Sequence, residues 1–115
     1  MTYFKEILTP EELKALYRRL ALMYHPDKGG SVDKMQRINK EYSYLSREFY
    51  KIPRCLNEVK VGNLIFVNNT KCIVTEVNEK YFKAKSIESL REAYFSKSSG
   101  FAMLNYKFKA SISKN

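Results

Sequence analysis

Between Thr9 and Tyr24 the apolar residues Leu13, Leu16, Tyr17, Leu20, Ala21 and Tyr24 recur at intervals of three and four, which makes one apolar face of an α-helix. Its start is marked by Thr9 as a cap, Pro10 at the first helical position and Glu12 completing a Thr-x-x-Glu capping box. Glu11 and Glu12 also lie at the positive end of the helix dipole. Pro26 disfavours helical geometry in the residue before it, so the helix is predicted to stop at His25. After Gly29-Gly30, Ser31 can cap a second helix and Asp33 sits in its first turn. Met35, Ile38, Tyr42 and Leu45 form its stripe, which Phe49 extends. Two amphipathic helices on a short loop pack antiparallel along such stripes, and the loop His25 to Gly30 is then held at their tip.

Beyond Pro53 the period changes from about 3.6 to 2. Val59-Lys60-Val61-Gly62 leads into Leu64-Ile65-Phe66-Val67, Asn68-Asn69 supplies a turn, and Cys72 to Val77 returns as the second arm of a hairpin. A third strand is predicted over Tyr81 to Ile87 and a fourth near Ala93-Tyr94-Phe95, with Lys97-Ser98-Ser99-Gly100 as a turn. Residues 86–94 also admit a helical turn with Ile87, Leu90 and Tyr94 on one side. The strictest alternation comes last: Leu104, Tyr106, Phe108, Ala110 and Ile112 against Asn105, Lys107, Lys109 and Ser111, which predicts one continuous strand with a buried face. The chain therefore reads as α+β, a helical hairpin over residues 1–52, a linker at 53–58, and a small antiparallel β-barrel or curled sheet over 59–115.

Composition narrows the function. At 115 residues any second module must be small, and 44% hydrophobic with 29% charged residues is the balance of a folding, globular chain. No apolar run is long enough to span a bilayer, and the polar start Met1-Thr2-Tyr3-Phe4-Lys5-Glu6 lacks the apolar core of a secretory signal, so a cytoplasmic protein with no membrane association is expected. Cys55 and Cys72 have neither metal-ligand spacing nor a nearby histidine, and His25 is the single histidine, so no metal, no cofactor and no catalytic constellation is expected; the chain does not read as an enzyme. The net charge of +9 favours acidic partners, either nucleic acid or an acidic protein face. Both halves carry the excess, so it is not a basic tail.

The run Leu13-Lys14-Ala15-Leu16-Tyr17-Arg18-Arg19-Leu20-Ala21-Leu22-Met23-Tyr24-His25-Pro26-Asp27-Lys28 resembles the second helix and signature loop of J-domains, the DnaJ family. Met35-Gln36-Arg37-Ile38-Asn39-Lys40-Glu41-Tyr42 is similar to that family's third helix, and the resemblance covers roughly residues 9 to 48. It implies a co-chaperone that binds a DnaK-type chaperone through its ATPase domain and stimulates ATP hydrolysis there without being the catalyst. His25, Pro26 and Asp27 would engage the chaperone, Lys14, Arg18 and Arg19 would match the basic face of the helix, and Lys28 would be a peripheral contact. Tyr3 to Leu8 is a shortened substitute for the family's first helix. Compact J-domains with His-Pro-Asp-Lys-Gly-Gly are similar to ones in phage and prophage proteins, and the Lys-Gly-Gly continuation is seen in viral tumour antigens.

The residues themselves support an acidic partner for the helix. Lys14 and Arg18 are like charges at i and i+4, an arrangement that costs an isolated helix roughly 0.2–0.5 kcal/mol. In the second half, Lys83, Lys85, Lys107 and Lys109 alternate near Tyr81, Phe82, Tyr106 and Phe108, a pattern that binds single-stranded nucleic acid through phosphate contact and stacking. Tyr106 and Phe108 point opposite to Lys107 and Lys109 on a regular strand, which places those aromatics in a barrel core instead. Two functions follow. One is a co-chaperone whose Src-homology-3-like β-module brings the chaperone to a protein partner; the alternative is a nucleic-acid-binding β-module with a degenerate J-domain as scaffold.

Overall fold

The computed structural model describes residues 3–5, 7–104 and 107–113. The chain divides into two compact units, Met1–Arg47 and Glu48–Asn115. The first is built on α1 (Pro10–Tyr24) and on α2 (Val32–Glu48), whose final residue belongs to the second unit. Thr9 has extended backbone geometry and its hydroxyl accepts the Glu12 N–H at 3.1 Å, which satisfies one of the donors a helix start leaves unpaired. The Glu12 carboxylate reaches one residue further back than a capping box requires, to the Leu8 N–H at 3.2 Å. The predicted stripes form the contact between the helices. Leu13 and Leu20 of α1 and Ile38 and Leu45 of α2 are buried, each worth roughly 1.5–3 kcal/mol. The Tyr17 ring stacks on Tyr42 at 4.0 Å while its hydroxyl donates to Asn39 at 2.7 Å. No helix precedes Thr9 among the described residues; Phe4 and Leu8 are buried, and the Tyr3 N–H donates to the Glu41 carboxylate at 3.0 Å.

The second unit is a five-stranded antiparallel sheet of β1 (Leu64–Val67), β2 (Thr70–Val77), β3 (Tyr81–Ser86), β4 (Glu92–Ser96) and β5 (Ala110–Ser111), in the order β4-β3-β2-β1-β5. Asn68 and Asn69 make the β1–β2 turn with φ of 50° and 70°, the left-handed pair that a two-residue hairpin demands. Alternation puts Phe82, Ala84 and Ser86 of β3 inside and Tyr81, Lys83 and Lys85 outside. The inner cluster joins Val59, Ile65, Cys72, Val74, Phe82, Ala84, Phe95, Ala102 and Ala110. Burial there pushes the Cys72 thiol up to about 11, so it stays protonated and unreactive at neutral pH. Between Ser86 and β4 the chain makes a turn closed by Leu90 N–H to Ser86 C=O at 3.1 Å, so residues 86–94 hold a single turn and then a strand.

Ahead of β1, residues 56–58 form a 3-10 turn, Pro53 and Val59 are buried, and Arg54 grips Glu58 with two hydrogen bonds. Asn63 ties this segment down. Its side-chain amide donates to the Glu48 carbonyl at 3.0 Å and its oxygen accepts the Lys60 N–H at 2.9 Å, with the residue only 2% exposed. Asn63→Ala leaves those backbone groups unpaired, and a loss of about 1–3 kcal/mol is expected in urea unfolding.

The continuous last strand predicted over Leu104 to Ile112 does not form. Phe101 and Ala102 instead pair back, Phe101 with Lys109 and Ala102 with Phe95, and only Ala110–Ser111 joins β1. The Ala102 N–H donates to Phe108 C=O at 2.8 Å and the Ala110 N–H to Gly100 C=O at 2.7 Å, so residues 100–102 and 108–110 run as the two arms of a narrow hairpin. Leu104 is consequently fully exposed and Phe108 is 40% exposed, outside the barrel core to which the alternation assigned it. Tyr106 lies outside the described residues. The hydrogen bonding continues around the unit: β4 bonds to Phe101 and Met103, the hairpin bonds to itself, and β5 bonds to β1. Of the two forms predicted, barrel or curled sheet, the unit is thus the curled sheet.

Candidate functional site

At the end of α1, His25 leaves helical geometry with φ −62° and ψ 132°, and Pro26–Lys28 make one 3-10 turn. The turn is closed by Gly29 N–H to Pro26 C=O at 3.1 Å and Gly30 N–H to His25 C=O at 3.0 Å. His25 Nδ1 accepts the Asp27 N–H at 3.2 Å, a bond that needs the lone pair on Nδ1 and so places the proton of the neutral ring on Nε2. Nδ1 also lies 3.7 Å from the Asp27 carboxylate, and the two side chains are 50% and 89% exposed. The tip is therefore held by its own backbone while its imidazole and carboxylate face water.

Behind it, the Tyr24 ring is braced by Tyr3 edge-on at 6.0 Å and by the Lys34 ammonium 5.5 Å from its centroid. Gly30 passes so close to the Tyr24 backbone that no side chain fits there. Lys14, Arg18 and Arg19 are all exposed on α1 and none pairs with a described acidic residue. The structure brings Arg18 together with His25 and Asp27 along a shallow groove of about 520 Å³ that Tyr17, Ala21 and Leu22 complete. Lys14 and Arg19 do not line it, and the Lys28 side chain lies outside the described set. Leu22, 62% exposed beside the tip, was not among the expected site residues. Its signal is that it falls off the Leu13-Leu16-Leu20 stripe and so has no core to enter.

The lysines of the β-unit are placed differently. Lys83 is only 21% exposed, its ammonium lying 3.8 Å from Glu76 and 3.7 Å from Glu92 and above the Tyr94 ring at 5.8 Å. Lys85 shares the outer face of β3, and Lys107 and Lys109 belong to the closing hairpin, with the Lys109 ammonium 5.1 Å from the Phe101 centroid. Lys83 is thus committed to carboxylates, which weakens it as a phosphate contact.

The comparison that decides the family is with the DnaJ domain, whose model matches residues 4–51. This chain carries a J-domain. DnaJ protein homolog 2 of Allium porrum is 46% identical over 46 residues, covering 36% of this chain and 11% of that protein. Chaperone protein DnaJ of Acaryochloris marina is 55% identical over 40 residues, 32% of this chain and 11% of its own length. The small t antigen of Budgerigar fledgling disease virus is 30% identical over 94 residues, 76% of this chain and 63% of the antigen, so that likeness runs past the J-domain. The chain spans less than two thirds of each of these relatives. No solved structure matches. J-domain proteins form a co-chaperone family that partners with DnaK-type chaperones, and the small t antigen match supports the expected compact form and its likeness to viral tumour antigens, though not the phage or prophage likeness. No helix among the described residues is long and apolar enough to cross a membrane.

Proposed function

We propose that this chain is a co-chaperone that docks on the ATPase domain of a DnaK-type chaperone through its J-domain and recruits it to a partner held by the β-unit, residues 59–115, in the cytoplasm. The observation that carries the docking half is the tip itself. His25, Pro26 and Asp27 are exposed yet fixed by the backbone bonds of a single turn, so little ordering cost is left to meet at binding. Lys14, Arg18 and Arg19, without an acidic partner among the described residues, supply the long-range attraction that raises the encounter rate and falls with salt. Leu22 adds an apolar contact inside the same groove.

The test is single-turnover ATP hydrolysis by a DnaK-type chaperone with the wild-type chain and with His25→Gln. Acceleration by the first and a basal rate with the second is the expected result. Removing one member of a close polar contact costs roughly 2–5 kcal/mol, enough to empty the complex at micromolar concentrations. No acceleration by either, with an active cognate chaperone, would reduce the hairpin to a scaffold.

A further inference from the structure

We propose that the inner face of the curled sheet holds a small amphiphile, a short apolar body carrying a single carboxylate. This site goes beyond the co-chaperone reading and does not depend on it. The register of β2, β3 and β4 sets the side chains of that face in rows. Phe82 stands opposite Phe95, and Ala84 lies between Val74 and Ala93. Ser86 is paired with Cys72, and its N–H donates to the Arg91 C=O at 2.8 Å. The face therefore runs from aromatic through small to polar. The small row leaves a groove of about 400 Å³, with Asn68, Ser89 and Arg91 on its exposed margin and Phe108 along one side. Such a volume is in the range of ligand sites, and at the ~30 Å³ that a water molecule takes in the liquid it holds roughly a dozen non-hydrogen atoms.

The polar row offers an anion two donors that no described residue takes up. Arg91 precedes the outward Glu92, so by alternation it shares the inner side with Ala93 and Phe95, and its guanidinium pairs with no described carboxylate. Ser86 is only 5% exposed; its hydroxyl accepts the Ser89 N–H at 3.2 Å and passes its own proton to no described residue. A guanidinium fork meets a carboxylate with two parallel hydrogen bonds, and a neighbouring hydroxyl can supply a third. The surrounding charges agree. Glu92 borders the groove, but its carboxylate is 3.7 Å from the Lys83 ammonium and its register partner on the outer face is Lys85. Glu88, in the turn between β3 and β4, is the other acidic residue at this end, against Lys71 on β2 and Lys107 and Lys109, whose backbones bond to the Asn68 side chain. Cationic side chains therefore outnumber carboxylates here among the described residues. Burial keeps the Cys72 thiol protonated, so it adds no negative charge.

The full-length, isotope-labelled chain is titrated with octanoate and with octanol while its amide resonances are followed by NMR. Saturable shifts at Ala84, Ser86 and Ala93 are expected, with octanoate bound at least about tenfold tighter than octanol. Arg91→Gln is expected to cancel that preference, weakening octanoate about tenfold and leaving octanol unchanged. Arg91 is exposed and in no ion pair with a described residue, so its variant keeps the fold. Lys71→Gln, at the same end but on the outer face, is expected to leave both affinities as they are. The proposal is overturned by the absence of saturable shifts, by equal affinity for the two ligands, or by shifts gathered on the outer face at Tyr81 and Tyr94. It is also overturned if Lys71→Gln costs as much as Arg91→Gln, which would give the preference to the diffuse charge of the surface.

Discussion

The Gly30→Ala variant is expected to lose chaperone stimulation and to lower the thermal unfolding midpoint far more than Gly29→Ala. A Cβ at Gly30 would clash with the carbonyl oxygen, carbonyl carbon and Cα of Tyr24, all backbone atoms that cannot rotate away. Tyr24 is the last residue of α1 and its ring is held between Tyr3 and Lys34, so the end of the helix is not free to yield. Residue 30 must move instead, and with it goes the Gly30 N–H to His25 C=O bond that closes the tip. The neighbouring glycine is the internal control. Gly29 has φ of 81° and open space where a Cβ would go, so alanine there meets only left-handed backbone strain of roughly 1–2 kcal/mol. A Gly30→Ala chain that stimulates as well as wild type would show that the observed tip geometry is not what the chaperone reads.

In the β-unit the largest loss is expected from Phe82→Ala, about 3–5 kcal/mol in urea unfolding. Phe82 is wholly buried, stacks on Phe95 at 5.7 Å and belongs to the cluster to which all five strands contribute. A domain of this size has only about 5–15 kcal/mol in total, so the variant should be close to unfolding at 37 °C. Tyr81→Ala, one residue earlier and on the opposite face, should cost far less. Similar costs for both variants would contradict the inside-outside assignment of β3.

The helical unit was legible because each signal was local. Thr9, Pro10, Pro26 and Ser31 act on the backbone within a few residues of themselves, and the two stripes bury against each other. The Asn68-Asn69 hairpin was legible for the same reason, since few residues other than asparagine and glycine take two positive φ values in succession. The closing segment was not, because alternation reports only that a face is apolar, not that the face is covered. Phe108 satisfies the pattern of a core residue and ends up as a groove wall, and Ala110 in the same pattern is buried. What separates them is the pairing of Phe101 and Ala102 with residues 108 and 109, a contact set by tertiary closure. The state of Lys83 was hidden likewise, since Glu76 and Glu92 approach it only through the register of β2, β3 and β4.

The hydrogen bonds that continue around the described residues of the β-unit protect against a hazard of open sheets. A sheet with an open rim offers a row of unpaired backbone donors and acceptors, and an incoming chain can add to it as an extra strand and seed aggregation. Here the outer rim of β4 is already taken by Phe101 and Met103, and β5 has the hairpin on one side and β1 on the other. Along these two strands an incoming chain therefore meets side chains and backbone groups already paired, and a route to strand addition is shut.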